Sequence, residues 1–243
     1  MLVVRTAAVG PFAENTHVVA DDVSKEALLV DPGGDLDKVL KLVEPDGFRV
    51  TRIFLTHGHI DHVVGASDAA WRLRAPCQIH QDDTEWLQRL PQQALVFGFP
   101  SAGEPPNIDH FHKEGETLSL GEHSGRILHT PGHSAGSCCL FFEKARVLIV
   151  GDTLFAGSVG RTDLPGGDFD ELTSSICEKL FPLGDDVQFF SGHGPAGKLG
   201  DERRSNPFVG DAALYLCSGL ARNVTGEILH VDAGQNIMGV VAM

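Results

Sequence analysis

Seven residues, Thr56-His57-Gly58-His59-Ile60-Asp61-His62, set three histidines and an aspartate directly behind the apolar run Ile53-Phe54-Leu55. That many imidazoles and carboxylates beside a buried strand cost several kcal/mol in desolvation and mutual repulsion unless a cation compensates them. Residues two apart in an extended segment point to the same side, so His57 and His59 can grip one ion. Asp61 and His62 then face a neighbouring position as the chain turns into the next element. Closing two such sites takes ligands from elsewhere: His133 in Thr130-Pro131-Gly132-His133-Ser134, Asp152 in Gly151-Asp152, and His193 in Gly192-His193-Gly194. A carboxylate bridges two ions where an imidazole usually does not, so Asp152 is the natural shared ligand, with the ions about 3.5–4 Å apart.

Such ligands must be carried by rigid elements. Apolar β-type runs at Ala27 to Val30, Ile53 to Leu55, Val147 to Val150 and Val187 to Phe190 each lead into a polar or Gly-rich turn, three of which hold the candidate ligands. The fourth turn is Asp31-Pro32-Gly33-Gly34. Between the runs lie helix-period segments: one from about Asp61 to Leu73, and one opened by Asp168-x-x-Glu171 as a capping box ahead of Phe169, Leu172, Ile176 and Leu180. The pattern predicts a mixed α and β architecture. Leu90 to Asn107 carries Pro91, Pro100, Pro105 and Pro106 without a period and reads as a long surface loop.

At 243 residues and 42% hydrophobic content, the chain can bury a core large enough for one big domain or two small ones. A net charge of −14 without a basic patch excludes nucleic acid as a partner. The absence of a long apolar run or a signal-like start leads us to expect no membrane association and a cytoplasmic location. Cys77, Cys138, Cys139, Cys177 and Cys217 show no metal spacing and read as small core residues. His17, His80, His110, His112, His123, His129 and His230 read as ordinary surface or core histidines.

His57-x-His59-x-Asp61-His62, followed in order by His133, Asp152 and His193 and preceded by the Asp31 turn, resembles the metallo-β-lactamase superfamily. Gly157 to Asp163, Gly192-His193-Gly194-Pro195 and Glu202 to Phe208 further resemble its short bacterial type II glyoxalases, the hydroxyacylglutathione hydrolases. The resemblance implies a four-layer αββα sandwich over residues 1–208, with the metals along one edge. It implies that His57, His59 and His133 hold one divalent ion, that Asp61, His62 and His193 hold a second, and that Asp152 bridges them. Zinc is expected, although iron or manganese suits the same ligands. It also implies that Arg161 meets a substrate carboxylate, while Asp163 or Asp168 could instead tie it up as an ion pair. Asp31 is expected to hydrogen-bond a ligand histidine from behind.

The chemistry implied is attack of a metal-bridging hydroxide on a small thioester, S-2-hydroxyacylglutathione above all. By formal charge, two divalent ions outweigh Asp61, Asp152 and one hydroxide, which favours an anionic substrate. A thiol with a pKa of roughly 8.5 leaves as thiolate without a strong general acid, and none is visible beside the motifs. Asp61 could also orient the nucleophile. The competing reading is a persulfide dioxygenase of the same superfamily, with a single iron. The segment Ala212 to Ala221, with Val224 to Glu227 and Val231 to Gly234, resembles the C-terminal end of enoyl-acyl-carrier-protein reductases in the short-chain dehydrogenase family. Tyr215, the only tyrosine, has Gly219 four residues on instead of the lysine that such enzymes need, so residues 209–243 read as a helix-strand tail and not a cofactor domain. The expected use of the tail is packing on the hydrolase body or on a second copy, giving a homo-oligomer.

Overall fold

A computed structural model describes residues 1–99, 101 and 103–209. Strands β1 (Leu2–Val9), β2 (Glu14–Asp21), β3 (Glu26–Val30), β4 (Arg49–Phe54), β5 (Cys77–His80) and β6 (Ile108–His112) pair in chain order to form the first sheet. It is antiparallel from β1 to β3 and parallel from β3 to β6. The second sheet begins with the antiparallel strands β7 (Thr117–Leu120), β8 (His123–His129), β9 (Cys138–Phe142) and β10 (Val147–Gly151). After a two-stranded hairpin of β11 (Leu154–Phe155) and β12 (Ser158–Val159), β13 (Gln188–Ser191) joins β10 in parallel, and β14 (Gly197–Lys198) closes the edge.

Alternate residues of the inner strands feed two different cores. Val19, Leu28, Val30 and Phe54 of the first sheet meet Ile127, Cys138, Leu140, Phe142 and Ile149 of the second, so the sheets pack face to face. The neighbours Val18, Ala20, Ala27, Leu29 and Ile53 face the opposite way, beneath helices α1 (Leu36–Val43), α2 (Ile60–Val63), α3 (Ala66–Leu73), α4 (Thr84–Gln88) and α5 (Leu90–Phe97). On the far side, Leu128, Cys139, Phe141, Leu148 and Val150 lie under α6 (Phe169–Ser174), its π-helical continuation Ser175–Leu180, and α7 (Leu199–Ser205). The layers are therefore α, β, β, α, as expected. Burial on both faces explains why the central strands are continuous apolar runs with no alternation.

Two elements differ from the sequence reading. The segment expected as a loop from Leu90 is helical over α5, because Pro91 occupies its first turn, where a missing N–H costs nothing, and Gly98 ends it at φ 72°. Leu90, Gln93 and Ala94 form its buried face. The helix expected from Asp61 to Leu73 is broken into α2 and α3. Gly65 donates from its N–H to the Pro32 carbonyl at 2.8 Å, and a Cβ there would stand 2.7 Å from that oxygen. The Asp168 cap is present, its Oδ1 accepting from the Glu171 N–H at 2.9 Å. No helix among the described residues is long and apolar enough to cross a membrane. The helix-strand tail lies outside the described residues except for Val209, which is buried in the second-sheet core.

Buried His17 joins the sheets: its Nε2–H donates to the Ser191 carbonyl at 3.2 Å, and Thr6 Oγ1 lies 2.9 Å from Nδ1. Burial, only partly offset by Asp31 and the Ser191 bond, pushes its pKa down to about 4. The folded chain thus keeps His17 neutral where the unfolded chain, with a pKa of about 6.5, binds a proton. Stability from this group is complete above pH ~6.5 and declines by about 3 kcal/mol as pH falls to ~4. Urea titrations of the wild type and of His17→Gln between those limits should show the variant with the flatter profile. Parallel profiles would exclude His17 as the source.

Candidate metal centre

The carboxyl ends of β3, β4, β10 and β13, with the turn after β8, deliver the candidate ligands to one rim of the sandwich. His133 Nε2 lies 2.9 Å from His59 Nδ1 and 3.2 Å from His57 Nε2, so three imidazole nitrogens face a common point. Their other nitrogens are not all equivalent. His133 Nδ1–H donates to the Arg161 carbonyl at 2.8 Å. Thr56 Oγ1 donates to Asp31 Oδ2 at 2.6 Å, which leaves it to accept from His57 Nδ1–H at 3.0 Å. These bonds select the tautomers that turn His57 Nε2 and His133 Nε2 inward as lone pairs.

The second group is Asp61, His62 and His193, whose ligand atoms also lie within 4.8 Å of one another. His193 Nε2 is 3.2 Å from Asp61 Oδ2. His62 Nδ1–H donates to Asp31 Oδ2 at 3.0 Å, and this directs Nε2 into the site. Asp152 stands between the groups, with Oδ1 at 3.4 Å from His62 Nε2 and Oδ2 at 3.6 Å from His193 and 3.7 Å from His133. All seven residues named from the sequence are thus brought together, and Asp31 sits behind His62 and Thr56.

Electrostatics divides the imidazoles. Burial, reinforced by the neighbouring histidines, drives His57 well below the ordinary range and His59 down to about 3. His133 is lowered by burial too, although Asp152 and the Arg161 carbonyl oppose the shift. Burial also works against a charged His62, but the Asp152 and Asp61 carboxylates outweigh it and raise its pKa well above normal. Asp61 and Asp152 are lowered despite burial, chiefly by His62. Neutral His57, His59 and His133 beside the ionised Asp61 and Asp152 carboxylates are donor forms a divalent cation requires, and an ion bound at His62 would take the place of its proton. His62 Nε2 and Asp152 Oδ1 are moreover buried without a hydrogen-bond partner. The donor set therefore fits two divalent ions.

A profile of the metallo-β-lactamase superfamily matches residues 9–193. The chain belongs to this superfamily. Members of the metallo-β-lactamase superfamily bind divalent metals, and the His and Asp groups at the rim are the candidate positions here. The chain is 37% identical over 203 residues to hydroxyacylglutathione hydrolase GloC of Haemophilus influenzae, covering 82% of this chain and 93% of that protein. Among solved metallo-β-lactamase folds, the BLEG-1 B3 metallo-β-lactamase superposes with a TM-score of 0.79 at 33% identity, over 85% of this chain and 99% of that one. TTHA1623, solved in a di-iron-bound form, superposes at 0.75 with 33% identity, over 84% and 99%. The likeness to enoyl-acyl-carrier-protein reductases has no support from these matches.

Several residues that shape this superfamily site escaped the sequence reading. Asp83 is fully buried and accepts from the Gly58 N–H at 2.8 Å, the Ser134 hydroxyl at 2.7 Å and the Gly136 N–H at 2.6 Å, tying the His57–His59 loop to the His133 loop. Asn15 does the same for His193: its N–H donates to the Gly192 carbonyl at 2.6 Å, and its Nδ2 to Ser191 at 3.0 Å and Gly194 at 2.8 Å. Gln93 of α5 accepts from the Ile60 N–H and donates to the Gly58 carbonyl. None stands in a local pattern; a polar residue on the apolar face of α5 was the one available signal. His80 and His129 stack at 4.1 Å with planes only 10° apart, beside Asp82. Parallel rings keep their in-plane lone pairs from meeting at one ion, which favours the ordinary reading of both. His230 lies outside the described residues.

Gly192 has no room for a side chain: a Cβ would stand 2.2 Å from Asp152 Oδ1 and 2.4 Å from His62 Cε1. Gly192→Ala is expected to weaken binding of the second ion by about 10- to 100-fold while the first is retained. Competitive zinc titration with a chromophoric chelator measures both. Two unperturbed sites would show that this rim can yield.

Proposed function

We propose that this chain is a metal-dependent hydrolase of small thioesters, with S-2-hydroxyacylglutathiones such as S-D-lactoylglutathione as substrates. The observation that carries the reading is the pair of ligand groups, His57/His59/His133 and Asp61/His62/His193, meeting at one carboxylate, Asp152. The 37% identity to GloC supports the substrate class. When bound, two divalent ions would supply a water acidified toward neutral pH and an electrophile for the carbonyl oxygen.

The protein's own groups do the rest. Asp61, on the cavity wall, accepts a hydrogen bond from the attacking water and fixes its direction. Asp31 and Thr56 hold His62 and His57 in the tautomers that leave their inner nitrogens free. The thiol leaves as its thiolate, so no acid is needed on that side. Arg161 lines the same cavity, with its guanidinium bonded to Asp163 at 2.6 and 2.8 Å. To serve a substrate carboxylate it exchanges that partner.

Elemental analysis of the purified protein together with an S-D-lactoylglutathione assay tests the reading. Two ions per chain and turnover abolished by a chelator are expected. One iron per chain, with oxygen uptake on glutathione persulfide and no thioester cleavage, would overturn it.

A further inference from the structure

The cavity at the candidate metal centre, about 460 Å³ in volume, is lined by polar and apolar residues together. Beyond the ligands its walls are Phe12, Phe97, Phe155, Val159 and Leu164, with Ser158 and Arg161 as the polar members. Phe12, in the turn between β1 and β2, is 45% exposed. It is held edge-on against Phe97 at 6.4 Å and Phe99 at 5.3 Å, which fixes an aromatic face at the mouth. An exposed aromatic cluster continuous with a reactive centre is a place where an apolar ligand gains affinity by leaving water. The Arg161 cation of the same cavity gains less, because Asp163 already holds it through two bonds and an incoming carboxylate only replaces one partner with another.

We propose that the site selects thioesters whose acyl part bears an apolar side chain, aryl or branched alkyl, which docks against Phe12 and Phe97. The orientation rests on the thioester reading above: a carbonyl attacked beside Asp152 puts its acyl substituent inside the cavity, while the thiol portion extends outward past Arg161. Recognition of the thiol is then secondary to recognition of the acid.

S-methylglutathione and S-benzylglutathione, thioethers that cannot be hydrolysed, isolate the binding step, with the sulfur substituent standing in for the acyl group. Calorimetry on the metal-loaded protein should find the benzyl compound about tenfold tighter. Phe12→Ser, a change in an exposed turn, and Phe97→Ala should each reduce the gap to below about threefold. Equal affinities, no binding of the benzyl compound, or a gap untouched in both variants overturns the proposal. The kcat/KM for S-D-mandeloylglutathione should likewise exceed that for S-D-lactoylglutathione. If the benzyl preference holds and neither thioester is cleaved, the hydrolase reading fails while the apolar subsite stands.

Discussion

Replacement of Asp152 by alanine is expected to lower thioester turnover by about a thousandfold or more and to reduce the bound metal to less than the wild-type complement. Asp152 stands beside members of both ligand groups: its two oxygens lie 3.4 Å from His62 and 3.6 and 3.7 Å from His193 and His133. Removing it takes one negative charge from the midst of the imidazoles and, on the function proposed above, would take a ligand from each ion together. The loss should fall on kcat as well as on metal affinity, because excess metal refills the remaining ligands without restoring the shared one. Steady-state kinetics at saturating metal, combined with elemental analysis, separates the two effects. Turnover within about tenfold of the wild type under those conditions would remove Asp152 from the reaction.

Asp83→Ala is the second large expectation, and it concerns a residue that need not touch substrate or metal. The substitution orphans the Gly58 N–H, the Gly136 N–H and the Ser134 hydroxyl in a buried place. At about 1–3 kcal/mol for each unsatisfied group, partly relieved by water or by the Ser134–Ser137 contact, the loss should be about 3–5 kcal/mol of stability. Both loops it joins carry ligands of the first group, so affinity for the first ion should fall by about 10- to 100-fold. Denaturant titration and zinc titration read the two losses independently. Asp83→Asn keeps the volume but turns an N–H₂ toward donors, so it should lie between wild type and alanine. A stability change below about 1 kcal/mol for the alanine variant would mean that the loops hold themselves together.

The candidate ligand set was legible in the sequence because its core, His57 to His62, is local. Four polar side chains packed behind Ile53-Phe54-Leu55 have few stable uses, and extended spacing already points His57 and His59 the same way. The architecture was legible for a related reason: runs such as Ala27 to Val30 and Val147 to Val150 are apolar without alternation, the mark of strands covered on both faces. Pro91 misled the reading of α5. In sequence it looks like a breaker, whereas the first turn of a helix is where its missing N–H is harmless. Gly65 misled in the other direction, since the need for a break came from Pro32, a residue remote in sequence that approaches the helix only in the folded chain.

Sequence alone determined the kinds of candidate ligand, their order and the strand ends that carry them, since these follow from side-chain chemistry and short-range spacing. Only the tertiary structure decided that His133, Asp152 and His193 converge with the first cluster, which nitrogen of each histidine faces inward, and that Asp83, Asn15 and Gln93 hold the loops in place. It also decided that Arg161 is engaged by Asp163 and that Phe12 and Phe97 line the same cavity. Those outcomes depend on parallel strand pairing and on contacts between residues up to 179 positions apart, as from Asn15 to Gly194. Hydrogen bonds over such separations are set by how the layers stack, and no local pattern in the chain records them.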